Sequence, residues 1–293
     1  MYIHSDLLHR DHRKVDFLEA GSGPPVILVH SSMAGARQWS ALIPELESRY
    51  HVRAVNLFGY GGTQAWQGPC PPSLDDYAEL VLAAIPKRAR RVSLVGHSLG
   101  GAVAMRAAQR LGSRVGSLVL IEPSSFALLR ACRRDGAYAE VRALAEEAVH
   151  WTANVDPQTG AEAFIDYWCG RGGWDAMSES KRASIITLVA RLPCEWAALL
   201  GDRTDLAALQ RTLPSATLLI SFENTVRPSR ELVDILAAAF PDWLVATLAG
   251  LGHMGPLTHP HLVNPLIRGF LGLTESDQTA AWRSPLEILR SRA

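Results

Sequence analysis

Residues 96–100 read Gly-His-Ser-Leu-Gly, and Gly101 follows. A serine held between glycines at this spacing suits a tight turn from a strand into a helix. The apolar run Val92–Val95 precedes the motif, and an Ala-rich stretch with helical spacing follows it. Such a turn holds the serine backbone in an uncommon conformation, so its neighbours must lack bulk, and Gly96 and Gly100 do. It also aims a helix N-terminus at the serine, where developing negative charge is favoured. A free serine is a weak nucleophile and needs an adjacent base. His253, in Leu248-Ala-Gly-Leu-Gly-His-Met-Gly-Pro256, comes 155 residues after Ser98 at the end of the last apolar run. The pair predicts nucleophilic acyl transfer, with Ser98 attacking and His253 as general base. His259 and His261 are read as ordinary helix-entry residues.

That chemistry also needs donors for an oxyanion. His30-Ser-Ser-Met-Ala-Gly35 follows the run Val26–Val29. A main-chain N–H from this loop and that of the residue after the nucleophile are the expected donors, which nominates Ser32 and Leu99. His30 is expected to order the loop without doing chemistry.

The elements that must position these residues alternate along the chain. Val26–Val29, Val52–Val55, Val92–Val95, Leu118–Ile121, Thr217–Ile220 and Leu244–Leu248 read as strands. Several are apolar on successive residues, as strands covered on both faces are. Helices are expected near 37–49, 74–86, 100–111, 229–239 and 260–271. Strand and helix in turn predict an α/β fold with a mostly parallel central sheet flanked by helices. The alternation stops over 124–213. There Val141, Leu144, Ala145, Ala148 and Val149 share one helical face, as do Ile185, Leu188, Val189 and Leu192. This is a helical insertion between two sheet strands, following the strand that ends at Glu122. The predicted organisation is a core of 1–123 and 214–273, an insertion of 124–213, and a loose polar tail of 274–293.

These motifs resemble those of the α/β-hydrolase superfamily, specifically its capped bacterial serine hydrolases. The resemblance runs through the His30 loop, Asn56-Leu-Phe-Gly-Tyr-Gly-Gly-Thr63, the Ser98 turn, Leu120-Ile-Glu-Pro123 and the Gly252-His253 loop. It implies an α/β-hydrolase fold in which 124–213 is the cap. Asn56 stands where the family usually has Asp. A second departure concerns the triad acid, which most members place after the strand that follows the cap. Aligning Phe222-Glu223 with the family's Gly-Glu puts Thr225 at that position, and threonine cannot supply the charge. Glu122 at the end of the preceding core strand is the leading substitute, as in family branches that carry their acid there. Glu223 and an acid-free dyad remain open.

The expected reaction is hydrolysis of a small, fairly apolar carboxylic ester. The alternatives are thioester, lactone, amide or C–C bond hydrolysis on the same residues, or a ligand receptor or scaffold. Aromatic residues of the insertion, Trp151, Trp168, Trp174, Trp196, Tyr138, Tyr167, Phe126 and Phe164, are expected mostly to glue it together, with some lining a pocket. Arg171-Gly-Gly-Trp174 reads as a turn flanking an entrance.

Of the 293 residues, 29 are Lys or Arg and 29 Asp or Glu, so no nucleic-acid or anionic membrane partner is expected. The run Lys87–Arg91 reads as a solvated turn. No apolar stretch suggests a membrane span, and Met1–Lys14 is too polar for a signal peptide. Cys70, Cys132, Cys169 and Cys194 form no CxxC pair, which suggests reduced thiols and a cytoplasmic protein. No cofactor or metal motif is present. A small-molecule substrate is the expected partner, and a homodimer is compatible with the sequence.

Overall fold

A computed structural model describes residues 3–4, 8–10, 13–69, 71–153 and 156–273. The expected tail from Thr274, and Cys70, lie outside the described residues. Eight strands form one sheet: β1 (Ile3–His4), β2 (Phe17–Ala20), β3 (Pro25–Val29), β4 (His51–Val55), β5 (Val92–His97), β6 (Val115–Ile121), β7 (Thr217–Phe222) and β8 (Leu244–Leu248). Their order is β1-β2-β4-β3-β5-β6-β7-β8. From β4 to β8 every pairing is parallel, and β1 and β2 join antiparallel. Apart from this sheet, Leu8–Arg10 pairs antiparallel with Arg13–Val15.

The unbroken apolar runs have a simple cause. Side chains alternate across a strand, and here both faces are covered. Ile27, Val29, Leu94, Leu118 and Leu120 enter one core, while Val26, Leu28, Val95, Val119 and Ile121 enter the other. The first core includes residues of α1 (Leu74–Ala84) and α2 (Leu99–Leu111). The second includes Trp39, Ile43 and Leu46 before β4 and Val263, Ile267 and Phe270 near the end of the described chain. The helix expected over 37–49 forms as a 3-10 turn, Ala36–Trp39, and a single α-turn, Ile43–Leu46. Pro44 has no N–H to continue a longer helix. The sequence reading missed β2, a Phe-Leu-Glu-Ala stretch without β-branched residues that pairs with β4.

Between β6 and β7 the described residues are helical, with no strand. The main helices are α3 (Asp135–Ala153), α4 (Pro157–Cys169), α5 (Glu179–Ile186), α6 (Leu192–Gly201) and α7 (Leu206–Thr212). Val141, Ala145 and Ala148 are buried in α3, but Val149 is 53% exposed, so the buried face is narrower than expected. By length and composition, Glu179–Gly201 is apolar enough to cross a membrane, contrary to the sequence reading. It is not one helix: a 3-10 turn, Val189–Arg191, and Pro193 divide it, and Ile185, Val189, Leu192 and Trp196 pack into the core. After β7 comes α8 (Arg227–Ala239), and after β8 comes α9 (Pro260–Leu271).

Register places the chemistry. His97 on β5 pairs with Ile121 on β6, and Ile121 with Ile220 on β7. Ser98 and Glu122 are each the next residue along, so both leave the sheet at the same level. In parallel sheets this carboxyl edge forms the crevice.

Candidate active site

Ser98 lies between β5 and α2 with φ +54° and ψ −120°, a region L-residues seldom occupy. The turn is locked on both sides. A Cβ on Gly96 would sit 2.3 Å from the Gly100 carbonyl oxygen, and one on Gly100 would sit 2.2 Å from that of Val29. The Ser98 N–H donates to the Ile121 carbonyl at 3.0 Å, and its own carbonyl accepts from Gly101, Ala102 and Ser124. Glu122 also has positive φ, +39°, and its N–H donates to Ile220 at 3.0 Å. Two uncommon backbone conformations at adjacent strand ends mark a site where geometry is over-determined.

Their side chains meet at His253. Ser98 Oγ lies 2.9 Å from His253 Nε2, and His253 Nδ1 lies 2.7 Å from Glu122 Oε2. All three are buried. An ionised carboxylate only accepts, so Nδ1 carries the proton and Nε2 is left to accept from the serine hydroxyl. Glu122 is held in turn: Oε1 accepts the Phe222 N–H at 2.9 Å, and Oε2 accepts the Thr225 hydroxyl at 2.6 Å. Glu223 is exposed, and its carboxylate accepts the Gly250 N–H at 2.8 Å. The structure therefore brings Glu122, and not Glu223, to the histidine.

In the loop after β3, the Ser31 N–H donates to Gln38 Oε1 and the Met33 N–H to the Tyr60 hydroxyl, each at 2.9 Å. These bonds fix the backbone on either side of Ser32, which lines the same cavity as Ser98. Leu99 is the first residue of α2, where backbone N–H groups lack intrahelical acceptors. His30 is fully buried; Nδ1 lies 2.7 Å from the Ser31 carbonyl and Nε2 accepts the Leu57 N–H at 3.1 Å. Burial pushes its pKa down to about 4, so it is a neutral brace for the loop.

The arrangement matches a known family. A family model described as the alpha/beta hydrolase family covers residues 26–266. The chain belongs to the alpha/beta hydrolase family. It is 28% identical over 260 residues to a pimeloyl-[acyl-carrier protein] methyl ester esterase of Aromatoleum aromaticum, spanning 84% of this chain and 99% of that protein. Among solved structures, a hydrolase from Pseudomonas aeruginosa PA01 superposes with a TM-score of 0.76 at 22% identity, over 92% of this chain and 98% of the other. The esterase EaEST from Exiguobacterium antarcticum gives 0.75 at 18% identity, over 92% and 100%. These structural likenesses speak for the fold.

Within this alpha/beta hydrolase, several residues near the site had no separate role in the sequence reading. Ser124 Oγ lies 3.0 Å from Ser98 Oγ. Trp168 of α4 lays its ring on the His253 imidazole, centroids 4.3 Å apart at 37°. His97, inside the serine motif, links two loops: Nε2 donates to the His253 carbonyl at 2.9 Å, and Nδ1 accepts from Gln38 Nε2 at 3.1 Å. Burial first, and the neighbouring His253 second, keep the His97 pKa well below its ordinary value. A histidine within a serine motif was the available signal, but its partners come from distant loops. Of the aromatics in the insertion, Phe126, Phe164, Trp168 and Trp196 line the cavity over Ser98. The turn at Gly172–Trp174 is tied to Asp166, which accepts the Gly172 and Trp174 N–H groups, and its residues do not line the cavity.

Proposed function

We propose that this chain hydrolyses a small carboxylic ester through an acyl-enzyme intermediate. The observation that carries this reading is the continuous hydrogen-bond chain from Ser98 Oγ through His253 to Glu122 Oε2, at 2.9 and 2.7 Å. As Oγ attacks the carbonyl, Nε2 takes its proton, and Glu122 stabilises the imidazolium and holds its tautomer. The N–H groups of Ser32 and Leu99 receive the oxyanion. Collapse expels the alcohol, which takes the proton from Nε2. Water then attacks the acyl-enzyme with the same base and releases the acid.

Residues 124–213 act as the cap in this reading. The cavity over Ser98 has a volume of about 20 Å³, enough for about one water. The aromatic lining supports a mainly apolar substrate, and the name of the Aromatoleum relative supports an ester of a small alcohol. The substrate is the proposed partner, and cysteine usage supports a cytoplasmic location.

A serine-directed fluorophosphonate, followed by peptide mass spectrometry, should label Ser98. A chain-length panel of nitrophenyl esters, with one thioester and one lactone added, should then be turned over. Ser98→Ala should abolish labelling and lower turnover by several orders of magnitude with the fold retained. Near-normal turnover in that variant ends the proposal.

A further inference from the structure

The steps above leave one buried carboxyl group without a task. Glu195, on α6, is only 1% exposed and lines the cavity over Ser98. Its Oε1 accepts the Tyr60 hydroxyl at 2.7 Å. Tyr60 accepts the Met33 N–H, so the carboxylate is tied to the loop that carries Ser32. Its other oxygen, Oε2, has no hydrogen-bond partner among the described residues. The Ser32 hydroxyl faces the carboxyl without closing a bond within 3.5 Å; it, the Tyr60 hydroxyl and the Arg191 guanidinium favour the charged form, while burial, the largest influence, raises the pKa.

A carboxyl oxygen buried without a partner is costly, and a purely alkyl substrate would leave it so. Glutamine could accept the Tyr60 bond as well, and leucine would fill similar space without a polar atom. The rest of the cavity wall is six apolar residues, four serines and His253, so Glu195 is the one carboxyl among the described residues that line it. Sites built to bond a substrate hydroxyl discriminate sharply against analogues that lack it.

We propose that Glu195 is a specificity-determining residue that selects substrates bearing a hydroxyl group on the portion held beneath residues 124–213. This rests on the serine-hydrolase reading and narrows its substrate class. A hydroxyl suits both forms of the carboxyl, because it donates to a carboxylate and accepts from a neutral acid. An ammonium pairs only with the charged form. Burial favours the neutral form, so the hydroxyl is the better match.

The test uses the full chain and reads the rate at which Ser98 is phosphonylated, which does not depend on turnover. The probes are an alkyl fluorophosphonate and analogues carrying one hydroxyl at each successive carbon. At least one hydroxylated probe should react about tenfold faster than the unsubstituted one in wild type. Glu195→Gln keeps an acceptor for Tyr60 and a polar group for the hydroxyl, as the neutral acid does, and should retain most of that ratio. Glu195→Leu should bring it to about one. No preference at any carbon overturns the proposal. So does a preference that survives both variants while all rates fall together, since that describes a strut between α6 and Tyr60. Preference for a hydroxylated probe with no ester turned over would sustain Glu195 and overturn only the ester assignment. Failure of every probe to label Ser98 overturns both.

Discussion

The Thr225 hydroxyl donates to Glu122 Oε2 at 2.6 Å, the same oxygen that faces His253 Nδ1. Thr225 follows β7, where the resemblance to the family leads one to expect an aspartate. In this chain the carboxylate that faces His253 stands at the end of β6, one strand over from β7, and Thr225 is a neutral donor to it. Two carboxylates at this separation could not both ionise. A threonine at this position therefore complements an acid at Glu122.

Glu122→Gln should lower kcat/KM by at least about a hundred-fold, because it removes the charge and permits the wrong imidazole tautomer. Glu223→Gln should cost little. The double variant Glu122→Gln/Thr225→Asp should recover at least about tenfold over Glu122→Gln alone. All are read on one ester at neutral pH. A healthy Glu122→Gln beside a crippled Glu223→Gln would sink the assignment.

Trp168 leads to a second prediction. When His253 takes the serine proton, the positive ring faces an indole 4.3 Å away. Such cation–π contacts contribute about 0.5–2 kcal/mol, more when desolvated. Turnover should fall in the order wild type, Trp168→Phe, Trp168→Leu, with the last losing roughly three- to thirty-fold. Equal kcat in all three would leave Trp168 with packing alone.

How far the sequence reveals this arrangement depends on how local each signal is. The Ser98 turn is contiguous; Gly96 is required by a contact within the turn, and Gly100 by the Val29 carbonyl of the neighbouring strand β3. Strands β3 and β5 announce themselves because both of their faces are buried. Glu122 was nominated by its place at a strand end, but the two bonds that hold it come from β7 and the loop after it. Glu195 and Trp168 carried no signal beyond burial or aromaticity. Their positions follow from how the insertion folds back over the sheet edge, which helical periodicity does not encode. The same limit applies to Val149, whose spacing matched the buried face of α3 while its environment did not.

Asn56, where the family usually has Asp, gives a third prediction. Its Oδ1 accepts the Ala36 N–H at 2.8 Å, and its Nδ2 donates to Asp16 Oδ2 at 2.7 Å. Asp16 Oδ2 also accepts the Gly62 N–H at 2.8 Å. Asn56→Asp would replace a donor with a second acceptor facing a carboxylate. It should lower stability by roughly 2 kcal/mol, seen as an earlier urea midpoint with an unchanged slope. Pairing it with Asp16→Asn should restore most of the loss. Additive losses in the double variant would contradict the pairing.

Acid should weaken the fold through its buried histidines. His30 has its pKa lowered from 6.5 to about 4 by burial, and its Nε2 is committed to the Leu57 N–H as an acceptor. His97 shifts in the same direction, and Gln38 enforces it: Oε1 accepts from Ser31, which leaves Nε2 to donate to His97 Nδ1. Above pH 6.5 these rings are neutral in both folded and unfolded chains, and stability does not depend on them. Below 6.5 the unfolded chain takes up protons that the folded chain refuses, so stability falls with pH until the folded pKa is reached. For His30 that window runs from 6.5 to about 4 and amounts to at most roughly 3 kcal/mol. Glu195 pulls the other way, because a raised carboxyl pKa favours the folded state as pH falls. Urea unfolding at pH 8, 7, 6 and 5 should show a flat region and then a decline beginning near 6.5. His30→Gln, which keeps an acceptor for Leu57, should be less stable at pH 8 yet lose less between 7 and 5. Glu195→Gln should lose more over the same interval. A wild-type stability that stays level from pH 8 to 5, or a His30→Gln slope equal to wild type, would show that these rings are not what acid attacks.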